Sequence, residues 1–328
     1  AVITAATVIF CTQILEMTST PEDIFERAYI YILTIFAGIP AYFLYNMTAA
    51  ILRSLGDSRT PVVWLVIASI INIILDIVFI VAFKWDVFGA AIATVIAQFV
   101  SGFGCLFKVC RDFPVLKMDK DDWKPSGKNI GMLLAMGLPM GLQYSITAIG
   151  SVVLQTAVNQ LGTMYVTAVT AANKLSMFFC CPFDAMGSTM ATYAGQNVGA
   201  RKWDRLNKGM GSCVLLGLIY SVASFLFLLL TGDYLAMIFL DEKSAHLIPL
   251  VKQFLLILAS FYFPLALVNI VRFTIQGMGF SPTATFAGVL EMVGRGTIAY
   301  FVGIFGFDAA CFASPAAWIL ADSFLIPA

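Results

Sequence analysis

Three polar residues within long apolar stretches have side chains that can do chemistry: Asn72, Asp76 and Thr94. Asn72 and Asp76 are four residues apart, so in a helix their side chains share one face. A charged group at the depth of a bilayer costs at least about 2.5 kcal/mol on insertion scales, which makes Asp76 a functional candidate by default. Its oxygen atoms can exchange a proton or bind a hard cation such as sodium. A structural hydrogen bond between two helices is the alternative.

Two further pairs of charged residues lie inside apolar stretches. Glu291 and Arg295 are four residues apart, and pairing with an opposite charge lowers the cost of burying each. We favour a structural ion pair, with gating or cation relay as the alternative. Lys174 and Asp184 are ten residues apart and lie on nearly the same face of one helix. Asp184 is a candidate for attracting a cationic substrate, and Asp322, in the last apolar stretch, is given no role.

Aromatic, methionine and amide side chains near Asp184 are candidates for lining a substrate pocket. Soft and flat side chains adapt to varied ligands, which suits a site that binds more than one compound. Contact with lipid or packing against other helices is the alternative for each of them. The candidates are Gln143, Tyr144, Met177, Phe178, Phe179, Met186 and Tyr262.

The composition indicates an integral membrane protein. Hydrophobic residues make up 60% of the chain and charged residues 12%, with a mean hydropathy of +0.90, whereas soluble domains carry about 25% charged residues. The formal net charge is zero, so nothing indicates a nucleic-acid partner. The seven cysteines lie in or beside apolar runs without a CxxC pair, and we interpret them as small hydrophobic residues rather than disulfides or metal ligands. No GxxxxGK[ST] sequence occurs, which argues against ATP as the energy source.

Runs of about 20 apolar residues predict ten membrane-spanning helices, so the expected fold class is an all-α polytopic membrane protein. The predicted spans are residues 1–15, 29–52, 61–83, 88–107, 129–157, 164–193, 210–230, 247–276, 283–305 and 309–326. Several prolines fall well inside these spans, where such residues kink or break helices and create cavities. They are Pro40, Pro139, Pro182, Pro264 and Pro315.

The distribution of basic residues predicts the orientation in the membrane. If successive loops alternate between the two sides, one side holds thirteen basic residues, Arg272 among them, and the other holds three. The positive-inside rule makes the first side cytoplasmic. The cytoplasmic loops are then those near 53–59, 108–128, 201–208 and 272–282, and the outer loops are those near 16–27, 84–86, 158–163, 233–246 and 306–308.

A charged segment and an internal repeat predict two lobes. Residues 108–128 are expected to form a cytoplasmic linker between an N-terminal lobe, 1–107, and a C-terminal lobe, 129–328. A shift of 223 residues aligns 21–56 with 244–279 without a gap. The two aligned segments have the same orientation in the membrane, because an even number of spans separates them. If each lobe has six spans, the first lacks two, and the abrupt apolar start at residue 1 is that of a chain without its upstream sequence.

Three phrases of the sequence resemble the multidrug and toxic compound extrusion (MATE) transporters, in their bacterial MepA/DinF-like branch. They are LRSLGDSRTP followed by NIILD, GLPMGLQYS, and ATYAGQNVGARKWDRLNKG. The resemblance covers essentially the whole chain. It implies two six-helix bundles related by a pseudo-twofold axis along the membrane normal, of which this chain would carry helices three to twelve.

The same resemblance implies a function and a location. It implies a multi-pass monomer of the bacterial inner membrane that exports small organic, cationic or amphipathic compounds in exchange for H⁺ or Na⁺. Its partners would be the lipid bilayer and the exported compounds, with no cofactor besides the coupling ion and no enzymatic activity.

The resemblance also assigns residues to a cation site. Asn72, Asp76 and Thr94 match the Asn and Asp on helix five and the Thr on helix six of the family's N-terminal site. The Asp that the family carries on helix one has no counterpart in this chain. Thr147, with Gln143 nearby, stands where another branch has a Glu on helix seven, which argues against a second cation site of that kind.

Two other functions remain as alternatives. A lipid-linked oligosaccharide flippase of the same superfamily would have a strongly cationic central cavity, whereas the charges at membrane depth are of both signs here. An intramembrane enzyme would need a nucleophile with a base or a metal cluster, and the single histidine, His246, lies in a predicted outer loop.

Overall fold

In the computed structural model the chain is helical along almost its whole length. The structure describes residues 2–17, 22–116, 124, 126–240 and 242–327. These residues form thirteen α-helices and no β-strand. The helices are α1 (Val2–Ile9), α2 (Cys11–Met17), α3 (Glu22–Ala37), α4 (Ile39–Ser54), α5 (Arg59–Ile77), α6 (Asp86–Asp112), α7 (Gly127–Asn159), α8 (Thr163–Gly199), α9 (Trp203–Phe239), α10 (Ile248–Ser260), α11 (Tyr262–Gly277), α12 (Ser281–Phe305) and α13 (Phe307–Leu325).

The chain divides into two compact units, Ala1–Lys124 and Pro125–Ala328. The division falls within the predicted linker 108–128, of which α6 forms the first part. Residues 117–123 and 125 lie outside the described residues, and with them Lys117 and Lys120 of the predicted basic set. The assignment of the whole segment as a cytoplasmic linker stays a prediction.

Most of the predicted spans are present as helices of the required length. In the described part of the chain, six helices are long and apolar enough to cross a bilayer, or eight if each bent pair counts as one span. These eight correspond to eight of the ten predicted spans. The first predicted span is instead two short helices interrupted at Phe10. The last is α13, whose apolar character is reduced by Asp308, Pro315 and Asp322.

The two bent helix pairs break at equivalent positions of the sequence repeat. The axis bends by 41° between α3 and α4 and by 49° between α10 and α11. The breaks fall at Gly38 and Phe261, which are 223 residues apart. Pro40 and Pro264 follow within the first turn of the next helix, because proline lacks an N–H and disfavours helical geometry in the residue before it. At the other three prolines the helix is not broken, since α7, α8 and α13 continue through them.

The chain makes the same turn after α4 and after α11. Gly56 and Gly279, also 223 residues apart, have φ angles of 90° and 98°, a conformation that glycine adopts without steric cost. In each turn the residue after the glycine donates its N–H to the carbonyl five positions earlier, at 2.9 Å after α4 and 3.1 Å after α11. These bonds are those of a Schellman motif, which ends a helix by satisfying its last carbonyls.

Small residues bring α6 close to its neighbours in the first unit. The backbone at Gly104 lies against the ring of Trp64 on α5, so that an added Cβ would be 2.2 Å from the ring. Gly102 lies against Leu44 of α4 in the same way. Close approach through small residues is the usual way in which helices associate in a membrane. The packing of α6 against α5 positions Thr94 beside α5.

The second unit packs around a core of large buried side chains. Phe183 of α8 and Tyr262 of α11 are completely buried and their rings lie 5.5 Å apart. Gly277 at the end of α11 approaches the backbone carbonyl of Ala191 on α8. The helices α7 and α13 both pack against α12. These contacts hold α7, α8, α11, α12 and α13 around one polar cavity.

Candidate ion and substrate sites

In the first unit, Asn72 of α5 and Thr94 of α6 are in contact. Asn72 Nδ2 donates to Thr94 Oγ1 at 3.5 Å, and Thr94 Oγ1 donates to the Ala90 carbonyl at 3.0 Å. The Thr94 hydroxyl therefore uses its proton within α6 and accepts from α5 with a lone pair. Asn72, Asp76 and Thr94 are all half-buried.

Asp76 lies one turn after Asn72 and is incompletely satisfied. Its Oδ1 is buried and has no hydrogen-bond partner among the described residues. A buried carboxylate oxygen without a partner is costly, and a bound proton or cation would remove that cost. The π-helix Val78–Ala82 begins two residues later, and such segments are frequent at functional sites. The structure thus places the three predicted residues in one region of α5 and α6.

A cavity of about 600 Å³ lies within the second unit. This volume is in the range of sites for small organic molecules. Side chains of α7, α8, α11, α12 and α13 form its walls. They include Gln143, Tyr144, Thr147, Cys180, Asp184, Asn269, Arg272, Phe273, Glu291, Arg295 and Trp318.

Glu291 holds two arginines in the wall of this cavity. It forms an ion pair with Arg272 of α11, and its Oε2 is 3.4 Å from Nη2 of Arg295 on α12. The exposed fractions are 3% for Glu291, 6% for Arg272 and 8% for Arg295. Arg295 also donates through Nη1 to the Thr147 carbonyl at 3.3 Å. The Glu291–Arg295 contact has the geometry expected of the i,i+4 pair, and its structural role stays a prediction.

The prediction that Arg272 belongs to a cytoplasmic loop is wrong. The helix α11 continues to Gly277, five residues past Arg272, and buries the side chain against Glu291. The predicted span 247–276 contained Arg272, and only the count of basic residues assigned it to the adjoining loop near 272–282. A signal was present in the spacing of Asn269, Arg272 and Gln276, since residues three and four apart line one face of a helix.

The other predicted pocket residues divide into two groups. Asp184 lines the cavity and accepts from Asn269 Nδ2 at 3.3 Å, and Gln143 accepts from Gln276 Nε2 at 2.8 Å. The ring of Tyr144 is part of the wall as well. The remaining residues on α8 and in the core do not line the cavity. They are Lys174, Met177, Phe178, Phe179, Met186 and Tyr262.

Position along α8 separates Met177 and Lys174 from the cavity. The residues of α8 that line the cavity begin at Cys180, which follows Met177 by about one helical turn and Lys174 by almost two. Met177 and Phe178 are 72% and 69% exposed on the surface of their unit. A shared helix face was thus predicted for Lys174 and Asp184, but a shared face does not bring residues this far apart into one site.

Comparison with protein families gives a match over most of the chain. The profile described as MatE matches residues 1–78 and 139–302. The probable multidrug resistance protein YpnP of Bacillus subtilis (strain 168) is 30% identical over 262 residues, which are 79% of this chain and 57% of that protein. The FAD transporter of Shewanella oneidensis is 23% identical over 270 residues, 80% of this chain and 58% of that protein. The chain spans less than three-fifths of the length of these relatives.

Solved structures have the same fold. The crystal structure of MATE in the bent conformation superposes with a TM-score of 0.91 at 20% identity, covering 99% of this chain and 73% of that one. A MOP superfamily transporter from Pyrococcus furiosus superposes with a TM-score of 0.90 at 20% identity, covering 99% of this chain and 75% of that one. At this level of identity the likeness concerns the fold alone.

Proposed function

The chain belongs to the MatE family of membrane transporters, and from this premise we propose that it is a secondary active efflux transporter. It exports small organic compounds across the bacterial inner membrane in exchange for H⁺ or Na⁺. The relatives named as multidrug resistance proteins support export of drug-like compounds. Because the chain spans only part of their length, the proposal concerns the intact gene product.

The proposed coupling to H⁺ or Na⁺ rests on the surroundings of Asp76. Its buried Oδ1 has no partner in the described residues, while its neighbours Asn72 and Thr94 are bonded to one another. Binding a proton or a sodium ion at this oxygen lowers the free energy of the conformation in which it is buried. A gradient of that ion therefore shifts the balance between conformations, as an antiporter requires.

The cavity of the second unit supports small organic compounds as the exported class. Its volume and its aromatic walls suit a compound with a flat ring, and its charges are of both signs. The mixed charges do not favour the alternative of a lipid-linked oligosaccharide flippase, for which a strongly cationic cavity was expected.

Efflux from vesicles tests the coupling. The intact gene product is reconstituted, a fluorescent cationic dye is loaded, and its release is followed under an imposed proton or sodium gradient. We expect release to follow one of the two gradients in the parent and to fall to the rate without a gradient in Asp76→Asn. The matched control is Asp86→Asn, because Asp86 is an exposed carboxylate of the same unit. It should release dye within about twofold of the parent, as expected for a surface substitution.

The outcomes separate the parts of the proposal. Equal gradient-driven release from the parent and from correctly folded Asp76→Asn would show that Asp76 is structural, and coupling would have to occur elsewhere. Absence of movement of the cationic dye under both gradients in the parent would contradict export of cationic compounds. Size-exclusion chromatography establishes that each variant is folded before the rates are compared.

A further inference from the structure

The charged side chains that line the cavity of the second unit differ in burial. Arg272, Glu291 and Arg295 form a group in which each side chain is at least nine-tenths buried. Asp184 also lines the cavity but belongs to the exposed surface of α8. The cavity therefore has guanidinium groups at a buried position and a carboxylate at a more open one.

The two guanidinium groups have more donors than the protein satisfies. Each carries five N–H donors, yet the described residues provide three acceptor contacts in all, two from Glu291 and one from the Thr147 carbonyl. Arg272 Nε is buried without a partner. The planar guanidinium matches a carboxylate in geometry and charge, and buried polar groups are stabilised strongly when such a partner is supplied.

The acidic side chains limit which ligands fit. Glu291 is already paired with both arginines, whereas Asp184 has one contact among the described residues, from Asn269. Asp322 of α13 is buried and does not line the cavity, and although it forms no salt bridge within the described part of the chain, it lies near enough to Arg272 to attract that guanidinium electrostatically. The charged side chains in the wall are thus two arginines and two carboxylates. A purely cationic ligand would meet both guanidinium groups, and a purely anionic one would meet Asp184.

We propose that this cavity binds zwitterionic organic compounds, with the ligand carboxylate at Arg272 and Arg295 and the ligand cation at Asp184. The rings of Tyr144 and Trp318 lie in the wall and provide apolar surface for the body of such a compound. The inference rests on the proposed function, because it names the class of compound that the transporter exports. It differs from the sequence expectation, in which Asp184 alone selected cationic compounds.

A matched pair of dyes tests the inference. The first is a rhodamine with a free carboxylate, which is zwitterionic, and the second is the methyl ester of the same dye, which is a cation. Binding to the purified intact protein is measured by fluorescence anisotropy, and efflux is measured in vesicles. We expect the parent to bind the free carboxylate at least about tenfold more tightly, as expected for a charge-assisted hydrogen bond.

Variants show which side chains are responsible. Arg272→Lys keeps the charge and removes the fork of donors, so we expect about tenfold weaker binding of the carboxylate dye and a change below about threefold for the ester. Asp184→Asn should weaken binding of both dyes, because both carry the cation. Arg295→Lys gives a second test at the same site if Arg272→Lys does not fold.

The results distinguish failure of the inference from failure of the proposed function. Equal binding of the two dyes by the parent would overturn the zwitterion site, and so would an equal loss of both in Arg272→Lys. A clear preference for the carboxylate dye in the binding measurement supports the site. If neither dye then moves under any gradient, the transport proposal fails while the site stands.

Discussion

Glu291 is the shared anionic partner of two guanidinium groups at one buried point of the second unit. Its replacement by glutamine would leave Arg272 and Arg295 as like charges without an anionic partner in the group. Removing one member of a buried ion pair costs about 3–5 kcal/mol, because the remaining charge stays desolvated. We therefore expect Glu291→Gln to lower the thermal unfolding temperature in detergent sharply, or to prevent accumulation of folded protein.

An exposed pair of the same type provides the comparison for Glu291. Lys108 and Asp112 form an i,i+4 ion pair at the end of α6, and both side chains are about a third exposed or more. Exposed pairs of this kind contribute about 0.3–0.5 kcal/mol. Asp112→Asn should therefore leave the unfolding temperature nearly unchanged. Equal losses in the two variants would argue against a structural role for the Glu291 group.

Asp57 caps the start of α5 and makes stability depend on pH. It accepts from the Thr60 hydroxyl at 2.6 Å and from the backbone N–H groups of Thr60 and Arg59 at 3.0 and 3.2 Å. The hydrogen bonds from Thr60 lower the pKa of Asp57 below its ordinary value. A lowered folded-state pKa means that the stabilisation is present above the unfolded pKa of about 3.9 and is lost as the pH falls through the folded value.

Substitution of Asp57 tests this cap. Asp57→Ala should cost about 1 kcal/mol at neutral pH, the usual value for a capping side chain. The difference from the parent in thermal unfolding should begin to shrink below about pH 4 and disappear once the pH is below the lowered folded-state pKa of Asp57. Ser58→Ala is the control, because Ser58 stands at the N-cap position without a side-chain capping bond. A difference that stays constant with pH would contradict the capping role of the carboxylate.

Charges that interrupt an apolar run were predicted to lie inside helices, and for three of them the structure agrees. Asp76, Glu291 and Arg295 stand out because membrane helices carry few charges, and the structure places all three inside helices. Arg272 was counted with the adjoining loop although the predicted span 247–276 contained it, and α11 ends one residue beyond that span, at Gly277. Contacts between distant helices, such as Gln143 with Gln276, leave no signal in a single sequence.

The sequence repeat aligns the two helix breaks that the structure shows, although neither break was predicted from it. Each bent pair was predicted as one span, with a proline noted inside it, but the position of the break was not. The structure puts the breaks at Gly38 and Phe261, which are equivalent in the 223-residue alignment. Proline alone was insufficient as a signal, because α8 continues through Pro182. A proline leaves a backbone carbonyl of the preceding turn without its hydrogen-bond donor. Where neighbouring helices supply a partner for that carbonyl, the helix can continue without a break.

Gly277 joins α11 to α8 at a point where no side chain fits. A Cβ at this position would lie 2.3 Å from the Ala191 carbonyl oxygen, which is backbone and cannot rotate away. Overpacking of this kind costs about 1–3 kcal/mol. We expect Gly277→Ala to lower the thermal unfolding temperature and to reduce dye binding in the adjacent cavity.

A glycine in open space is the matched control for Gly277. Gly211 of α9 has no neighbouring atom within 4 Å of an added Cβ. Alanine is favoured over glycine inside a helix by about 1 kcal/mol, so Gly211→Ala should leave the unfolding temperature unchanged or raise it. A stable Gly277→Ala variant with normal dye binding would mean that the two helices can separate without cost.

At the scale of the whole molecule, each of the two units contains one of the proposed sites. The residues of the ion site all lie before residue 124, and those of the cavity all lie after residue 125. Composition and hydropathy were sufficient to predict the all-α membrane fold, because the bilayer admits few other solutions. The first and last predicted spans are not among the helices long and apolar enough to cross a bilayer, since the first is two short helices and α13 carries two aspartates.

The orientation in the membrane remains a prediction, and α8 provides a way to test it. This helix has 37 residues and is about 55 Å long, which exceeds the hydrocarbon thickness of about 30 Å. If α8 crosses the bilayer, its two ends lie on opposite sides. The excess of basic residues assigns Lys202 to the cytoplasm and Gln160 to the outside.

Cysteine labelling in intact cells measures this orientation directly. The exposed native residues Cys110 and Cys181 are first replaced by serine, and a single cysteine is introduced by Gln160→Cys or by Lys202→Cys. We expect a membrane-impermeant maleimide to label the first variant in intact cells and the second only after permeabilisation. Val158→Cys, at a fully buried position, should remain unlabelled in both conditions and thus reports any unfolded protein. The reverse pattern would invert the topology and place the basic loops outside, against the rule from which the orientation was predicted.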